Sequence, residues 1–161
     1  MAIDKICESF EVAVSGIKDG STILVSGFGG AGMPTELLNA LREQGASDLT
    51  IVSNNAGVGK EGIGGLLLDG RVRKVICSYP RSGGSVVFEE MWAAGKVDLE
   101  VVPQGTLSER IRAAGAGIGG FYTPTGVGTQ LAEGKEVREI NGRLQVLESP
   151  LKGDVAFILA R

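Results

Sequence analysis

Residues 19–34, Asp-Gly-Ser-Thr-Ile-Leu-Val-Ser-Gly-Phe-Gly-Gly-Ala-Gly-Met-Pro, constrain this chain more than any other stretch. Ile23, Leu24 and Val25 form an apolar run too short for a helix and bounded by turn residues, which is the pattern of a buried strand. Gly27, Gly29, Gly30 and Gly32 follow, and glycines there let a ligand approach the backbone and can aim N–H groups at an anion. Pro34 suits the first position of a helix, because its missing N–H is not needed there and its φ is already helical. Strand, glycine loop and helix in that order make the corner at which open α/β sheets hold their ligands.

Gly27, Gly29 and Gly32 also satisfy G-x-G-x-x-G, the dinucleotide fingerprint. That motif needs an acidic residue about 20 positions on, at the end of the second strand. The second strand here, Leu49-Thr50-Ile51-Val52, ends in Ser53-Asn54-Asn55, and Asp48 stands at its other end. A dinucleotide-binding module is therefore the alternative, and it lacks its ribose ligand.

The rest of the chain alternates helix and strand. Ile3, Ile6, Cys7, Phe10, Val14 and Ile17 recur at helical spacing, predicting a first amphipathic helix packed on the sheet. Leu37, Leu38 and Leu41 belong to a second helix that stops at Gly45. A short helix is expected over 62–69 and a strand over 72–78, which Tyr79-Pro80-Arg81 follow. Ser85 is placed to cap a helix whose Phe88, Met91 and Trp92 read as core. Val97, Leu99, Val101 and Val102 mark a fourth strand, ended by Pro103. Thr106-Leu107-Ser108-Glu109 has the form of a capping box, which leaves Gln104 in a loop between two rigid elements. Residues 121–133 read as a long connection, 137–147 as a β-hairpin turning at Asn141-Gly142, and 154–160 as one more buried strand. This pattern predicts one α/β domain over 1–161 with a mostly parallel open sheet and an inserted β-hairpin.

Composition excludes several functions. A net charge of −3 with interleaved signs argues against a nucleic-acid surface, and no apolar run is long enough to span a membrane. The N-terminus lacks the pattern of a secretory signal, which points to the cytoplasm. Cys7 and Cys77 match no metal or redox spacing and are expected as two buried thiols. The absence of histidine removes Ser-His and Cys-His nucleophile pairs and leaves no metal site in view.

The glycine segment with its Met33-Pro34 resembles the glycine-rich signature of the family I coenzyme A transferases, with Ser26 where that family usually has another glycine. Ser53-Asn54-Asn55-Ala56-Gly57, Pro103-Gln104-Gly105-Thr106-Leu107-Ser108-Glu109-Arg110-Ile111-Arg112 and Thr123-Pro124-Thr125-Gly126-Val127-Gly128-Thr129 resemble other family segments, in family order. The resemblance spans nearly the whole chain and implies the CoA transferase-like fold. It also implies further elements after the strand near 155–159, so the domain is expected to lack its last part.

That family moves CoA between carboxylic acids through a glutamyl-CoA thioester, covalent catalysis by a carboxylate. In its two-subunit members the nucleophilic glutamate lies in a Ser-Glu-Asn-Gly motif of the B subunit, and no such motif occurs here. The resemblance thus implies an A (α) subunit of an α2β2 assembly, acting on succinyl-CoA and a 3-oxoacid, with the CoA thioester as substrate and no separate cofactor. A shortened chain that serves only as an assembly partner is a further alternative. The resemblance implies that the Gln104 amide stabilises the oxyanion. Gly27, Gly29, Gly30 and Gly32 would line the cavity, and Asn54, Asn55 and Tyr79 would contact the acyl acceptor. The two asparagines read equally as turn formers. Ser78-Tyr79-Pro80-Arg81 and Glu100-Val101-Val102-Pro103 look more like the branch that uses 3-oxoadipate than the acetoacetate branch. Arg81 could then pair with the second carboxylate of that acceptor, or be a surface residue in a turn.

Overall fold

The computed structural model describes residues 4–160, so Ile3 of the expected first helix lies outside the described residues. Among the described residues, eight strands form two sheets, accompanied by five α-helices. The larger sheet is wholly parallel, in the order β4-β3-β2-β1-β8: β1 is Thr22–Val25, β2 Leu49–Asn55, β3 Val72–Tyr79, β4 Asp98–Val101 and β8 Val155–Phe157. Helices α2 (Thr35–Gln44), α3 (Ile63–Leu68) and α4 (Val86–Ala93) connect β1 to β4 stepwise in one direction. Their apolar residues Leu38, Leu41, Ile63, Leu66, Val87 and Phe88 share one core with Ile23, Ile51, Val75 and Cys77. Three consecutive crossovers on one face are what a single crossover hand requires.

The opposite face is covered differently. Because side chains alternate along a strand, Leu24, Val52 and Ile76 point away from that core. They meet Leu107 and Ile111 of α5 (Gln104–Gly115) in a second, smaller cluster. From α5 the chain crosses back to the far side of β1, where β8 joins as an edge strand. The direction of winding therefore reverses between β1 and β8, a crevice where open α/β sheets bind ligands.

A second, antiparallel sheet, β5-β7-β6, is formed by β5 (Phe121–Thr123), β6 (Val137–Ile140) and β7 (Arg143–Glu148). The expected hairpin is present and turns at Asn141 and Gly142, both at positive φ, as a two-residue turn of this hand demands. It gains a third strand, because residues 121–123, expected as connection, pair with β7. A short 3₁₀ turn at Gln130–Ala132 sits within the rest of that connection.

Several local expectations are corrected. The first helix, α1, is only Phe10–Val14; Val14 and Ile17 are buried, whereas Ile6, Cys7 and Phe10 are exposed. Pro34 occupies the cap before α2, not its first turn. Ser85 stands at the cap of α4, but its hydroxyl donates to the carbonyl of Gly57 (2.8 Å) and does not cap. Trp92 faces outward while Phe88 of the same helix is buried. The apparent capping box is not a cap: α5 starts at Gln104, and Thr106 lies inside the helix, buried. The expected strand over 154–160 stops at Phe157, because its partner β1 ends at Val25 directly opposite, and residues 158–159 continue as exposed chain.

Candidate functional site

The site grows from the C-terminal ends of β1, β2 and β3. After β1 the chain folds into a small closed loop: Phe28 and Ala31 exchange backbone hydrogen bonds (2.9 and 3.1 Å), with Gly29 and Gly30 at the tip. Gly27 resists replacement on two counts. Its φ is +119°, and a Cβ there would sit 3.1 Å from the carbonyl oxygen of Ala31 and 3.2 Å from the nitrogen of Met33. Ser26, the departure from the family glycine, has a use of its own. Its hydroxyl donates to the Gly32 carbonyl (2.8 Å) and accepts from the Leu159 N–H (3.1 Å), tying the loop to the chain beyond β8.

The two asparagines at the end of β2 divide the roles left open by the sequence. Asn55 is buried; its amide donates to the carbonyl of Gly29 (3.2 Å) and its oxygen accepts from the Gly57 N–H (2.9 Å). It makes the turn and braces the glycine loop. Asn54 points to the other face, beside Ser78, since the register sets Ser53 against Cys77 and Asn55 against Tyr79. The Ser78 hydroxyl lies 2.9 Å from Asn54 Oδ1 and 3.0 Å from the Asn54 carbonyl. Gln104, the first residue of α5, donates from Nε2 to the same Asn54 Oδ1 at 2.6 Å.

Two cavities meet at this amide pair. The inner one, about 400 Å³, is an apolar crevice between α5 and the β1–β8 seam, lined by Leu24, Gly27, Val52, Leu107, Ile111 and Phe157 among others. The outer one, about 380 Å³, is lined by Phe28, Gly29, Asn54, Asn55, Ser78, Tyr79, Ser82 and Gln104. Asn54 and Gln104 line both. Every lining residue of either cavity is uncharged.

The predicted residues are thus brought together unequally. Gln104, Asn54, Asn55, Tyr79, Gly27 and Gly29 border the cavities, whereas Gly30 and Gly32 shape the loop without lining either. Arg81 is also outside the lining; it is exposed, and its Nε lies 3.9 Å from Glu89. Phe28, Ser78 and Ser82 were given no role by sequence, although Ser78 stood in the segment that pointed to the substrate branch. Its signal was position at a strand end, which becomes meaningful only once the register puts it next to Asn54. The glycine segment does not build a dinucleotide site: residues 26–34 separate β1 from α2, and the loop closes on itself before the helix begins. No group of metal-ligating side chains occurs among the described residues, and no described helix is long and apolar enough to cross a membrane.

A family model described as coenzyme A transferase matches residues 7–161. The chain belongs to the coenzyme A transferase family. This CoA transferase chain is 62% identical over 158 residues to the A subunit of 3-oxoadipate CoA-transferase from Pseudomonas putida, a match covering 98% of this chain and 68% of that protein. It is 49% identical to the A subunit of a probable succinyl-CoA:3-ketoacid coenzyme A transferase from Bacillus subtilis, covering 97% of this chain and 65% of that one. Among solved structures, an acyl-CoA transferase apoenzyme from Escherichia coli O157:H7 superposes with a TM-score of 0.77 at 25% identity, over 93% of this chain and 33% of that chain. Glutaconate coenzyme A-transferase from Acidaminococcus fermentans gives 0.76 at 20% identity, over 93% of this chain and 55% of that chain, a likeness of fold alone. The chain thus spans about two thirds of the length of these curated relatives, and its fold is the CoA transferase fold expected from the sequence.

Proposed function

We propose that this chain is an A subunit that works with a B subunit in moving CoA from succinyl-CoA to a 3-oxoacid, with 3-oxoadipate the best acceptor. The observation that carries this is the neutral amide pair Asn54–Gln104 where the two cavities meet, at the start of a 12-residue helix. Uncharged donors, together with the positive end of the α5 dipole, suit an oxyanion, and they supply no nucleophile. The 62% identity to a 3-oxoadipate CoA-transferase chain supports the choice of acceptor.

The chemistry begins when a glutamate carboxylate, supplied by the B subunit, attacks the thioester carbonyl of succinyl-CoA. The C–S bond breaks, CoA leaves as its thiolate, and a mixed anhydride forms. The thiolate then attacks the glutamyl carbonyl of that anhydride, giving the glutamyl-CoA thioester and releasing succinate. The 3-oxoacid carboxylate repeats the sequence in reverse, so the CoA ends on the acceptor and the glutamate is regenerated. Each attack places negative charge on a carbonyl oxygen, and Gln104 Nε2 carries a second N–H beyond the one given to Asn54. Tyr79 and the glycine loop border the outer cavity, into which the acceptor would fit. Arg81, between Tyr79 and Ser82 in sequence, would reach for the second carboxylate of 3-oxoadipate.

The test uses the assembled two-subunit enzyme, with both chains at full length. Gln104→Ala should lose roughly 2.7–4 kcal/mol of transition-state stabilisation, about 10²–10³ in kcat, with little change in KM. Gln104→Glu should be at least as damaging, because it sets a carboxylate against the developing charge. Near-normal kcat in both variants, with folding verified by circular dichroism, would return Gln104 to a structural role. Borohydride trapping during turnover should label the B subunit while leaving this chain unlabelled. Arg81→Ala should raise KM for 3-oxoadipate far more than for a monocarboxylate acceptor, and equal effects on both would assign Arg81 to the surface.

A further inference from the structure

Ser78 is half-buried at the end of β3 and takes no part in the larger core. Its hydroxyl is within hydrogen-bond distance of both oxygens of Asn54, the side-chain Oδ1 at 2.9 Å and the carbonyl at 3.0 Å. Asn54 Oδ1 is also the acceptor for Gln104 Nε2 at 2.6 Å. Three side chains from β3, β2 and α5 thus form one chain of hydrogen bonds that ends at the residue proposed to hold the oxyanion.

An amide can turn over by half a circle and exchange its oxygen for its NH2 at almost no steric cost, so only its hydrogen-bond partners decide which end faces a cavity. Gln104 is exposed, and Asn54 is the one described side chain that its amide bonds. The orientation of Asn54 is therefore decisive for Gln104. A hydroxyl donating to Asn54 Oδ1 holds that oxygen inward, where it can accept from Gln104 and fix the NH2 end of the glutamine. Without the hydroxyl, Asn54 is free to present its NH2 to Gln104. The glutamine would then answer with its own oxygen, and its donors would leave the pair.

We propose that Ser78 is a positioning residue for the transfer reaction, acting through Asn54 to hold the Gln104 amide with its donors toward the reacting carbonyl. This rests on the role given to Gln104 above. Ser78 touches no reacting atom; its effect is on how often the donor amide is correctly turned. Because one oxygen of Asn54 serves both donors, its orientation is common to the two bonds, and removal of one donor is felt at the other.

The experiment is a double-mutant cycle in the assembled enzyme, with both chains at full length. Ser78→Ala should lower kcat about tenfold, the scale of one neutral hydrogen bond, and leave KM within about twofold. Ser78→Thr, which keeps the hydroxyl, should recover most of the loss. In a Gln104→Ala background, Ser78→Ala should cost nothing further, because the group it positions is gone. Should Ser78→Ala fail to assemble, Ser78→Cys serves in its place, since a thiol is a poor donor, and the same losses are expected. A full additional loss in the Gln104→Ala background, or a change in KM with kcat intact, would overturn the proposal while leaving the reading of Gln104 standing. Near-normal kcat in Gln104→Ala itself would remove that reading and this proposal together.

Discussion

The thiol of Cys77 is buried among the apolar residues of the larger core, and that burial pushes its pKa up to about 12, against a smaller lowering by a backbone hydrogen bond at Tyr79. Cys7 is exposed. The expectation of two buried thiols is thus right for one residue, since a cysteine's setting depends on packing that a lone position does not reveal. One thiol per chain should react with Ellman's reagent in the native protein, and the second only in denaturant. Rapid reaction of both at neutral pH would contradict the packing. The sign of the linkage follows: a raised pKa means that the folded chain keeps a proton which the unfolded chain loses. This stabilising contribution is intact below the ordinary thiol value of 9.0 and is lost as pH rises towards 12. At Asn54 and Asn55 the sequence offered two readings, turn former and ligand contact. Strand alternation assigns the turn to Asn55 and the cavity junction to Asn54, a distinction that two identical neighbouring letters do not contain.

Helix α3 illustrates how an element's neighbours override its own preferences. Its sequence, Ile-Gly-Gly-Leu-Leu-Leu, carries two glycines that weaken an isolated helix. Gly64 nonetheless has a reason: a Cβ there would run into the carbonyl oxygen of Gly59. Gly64→Ala gains up to about 1 kcal/mol in helix propensity but forces apart two stretches of backbone, which cannot yield as a flexible side chain does. The clash should win, with a net destabilisation of about 1–3 kcal/mol in urea unfolding. A stabilised variant would mean that the two backbone segments separate easily. Helix α5 makes the complementary case. Its residues match a capping box at Thr106, yet the helix begins three residues earlier, with Pro103 in the cap position and the N–H of Leu107 bonded to the Pro103 carbonyl (2.8 Å). That shift of three residues carries Gln104 from a loop to a helix start, where its backbone is fixed.

Across the whole molecule, a set of ion pairs and hydrogen bonds joins the parallel sheet to the antiparallel one. Lys74 on β3 pairs with Glu100 on β4 (2.6 Å), and Glu100 pairs with Arg110 on α5 (2.8 Å). Arg110 also donates to the carbonyl of Ser149 (2.8 Å), next to the buried Glu148, which Lys135 meets at 2.7 Å. Burial alone would raise the pKa of Glu100, but the bonds from Lys74 and Arg110 together outweigh it and hold the carboxyl below its ordinary 4.5. A lowered pKa contributes stability that is present above the unfolded value and is lost as pH falls through the folded one. Glu100→Gln should therefore cost stability at neutral pH and flatten its decline below about pH 4.5. Denaturant titrations of both proteins between pH 3 and pH 7 measure this, and parallel curves would show that Glu100 does not bear on acid stability.

The sequence by itself determined the alternation of strands and helices, the glycine corner after β1, the hairpin turn at Asn141-Gly142 and the family, because each is written in short-range periodicity or in a contiguous motif. Tertiary structure alone decided the strand order β4-β3-β2-β1-β8, the third strand of the small sheet and the assignment of α5 to the face opposite the other crossover helices. Those depend on pairings between residues far apart in the chain. The meeting of Ser78, Asn54 and Gln104 is of the same kind: neighbouring strands set the first two side by side, and α5 brings the third from 50 positions beyond Asn54. The place of Gln104 between β4 and the next helix was legible from its motif. The chain of bonds that joins it to Asn54 and Ser78 was not, since each bond joins different elements and no local pattern encodes it.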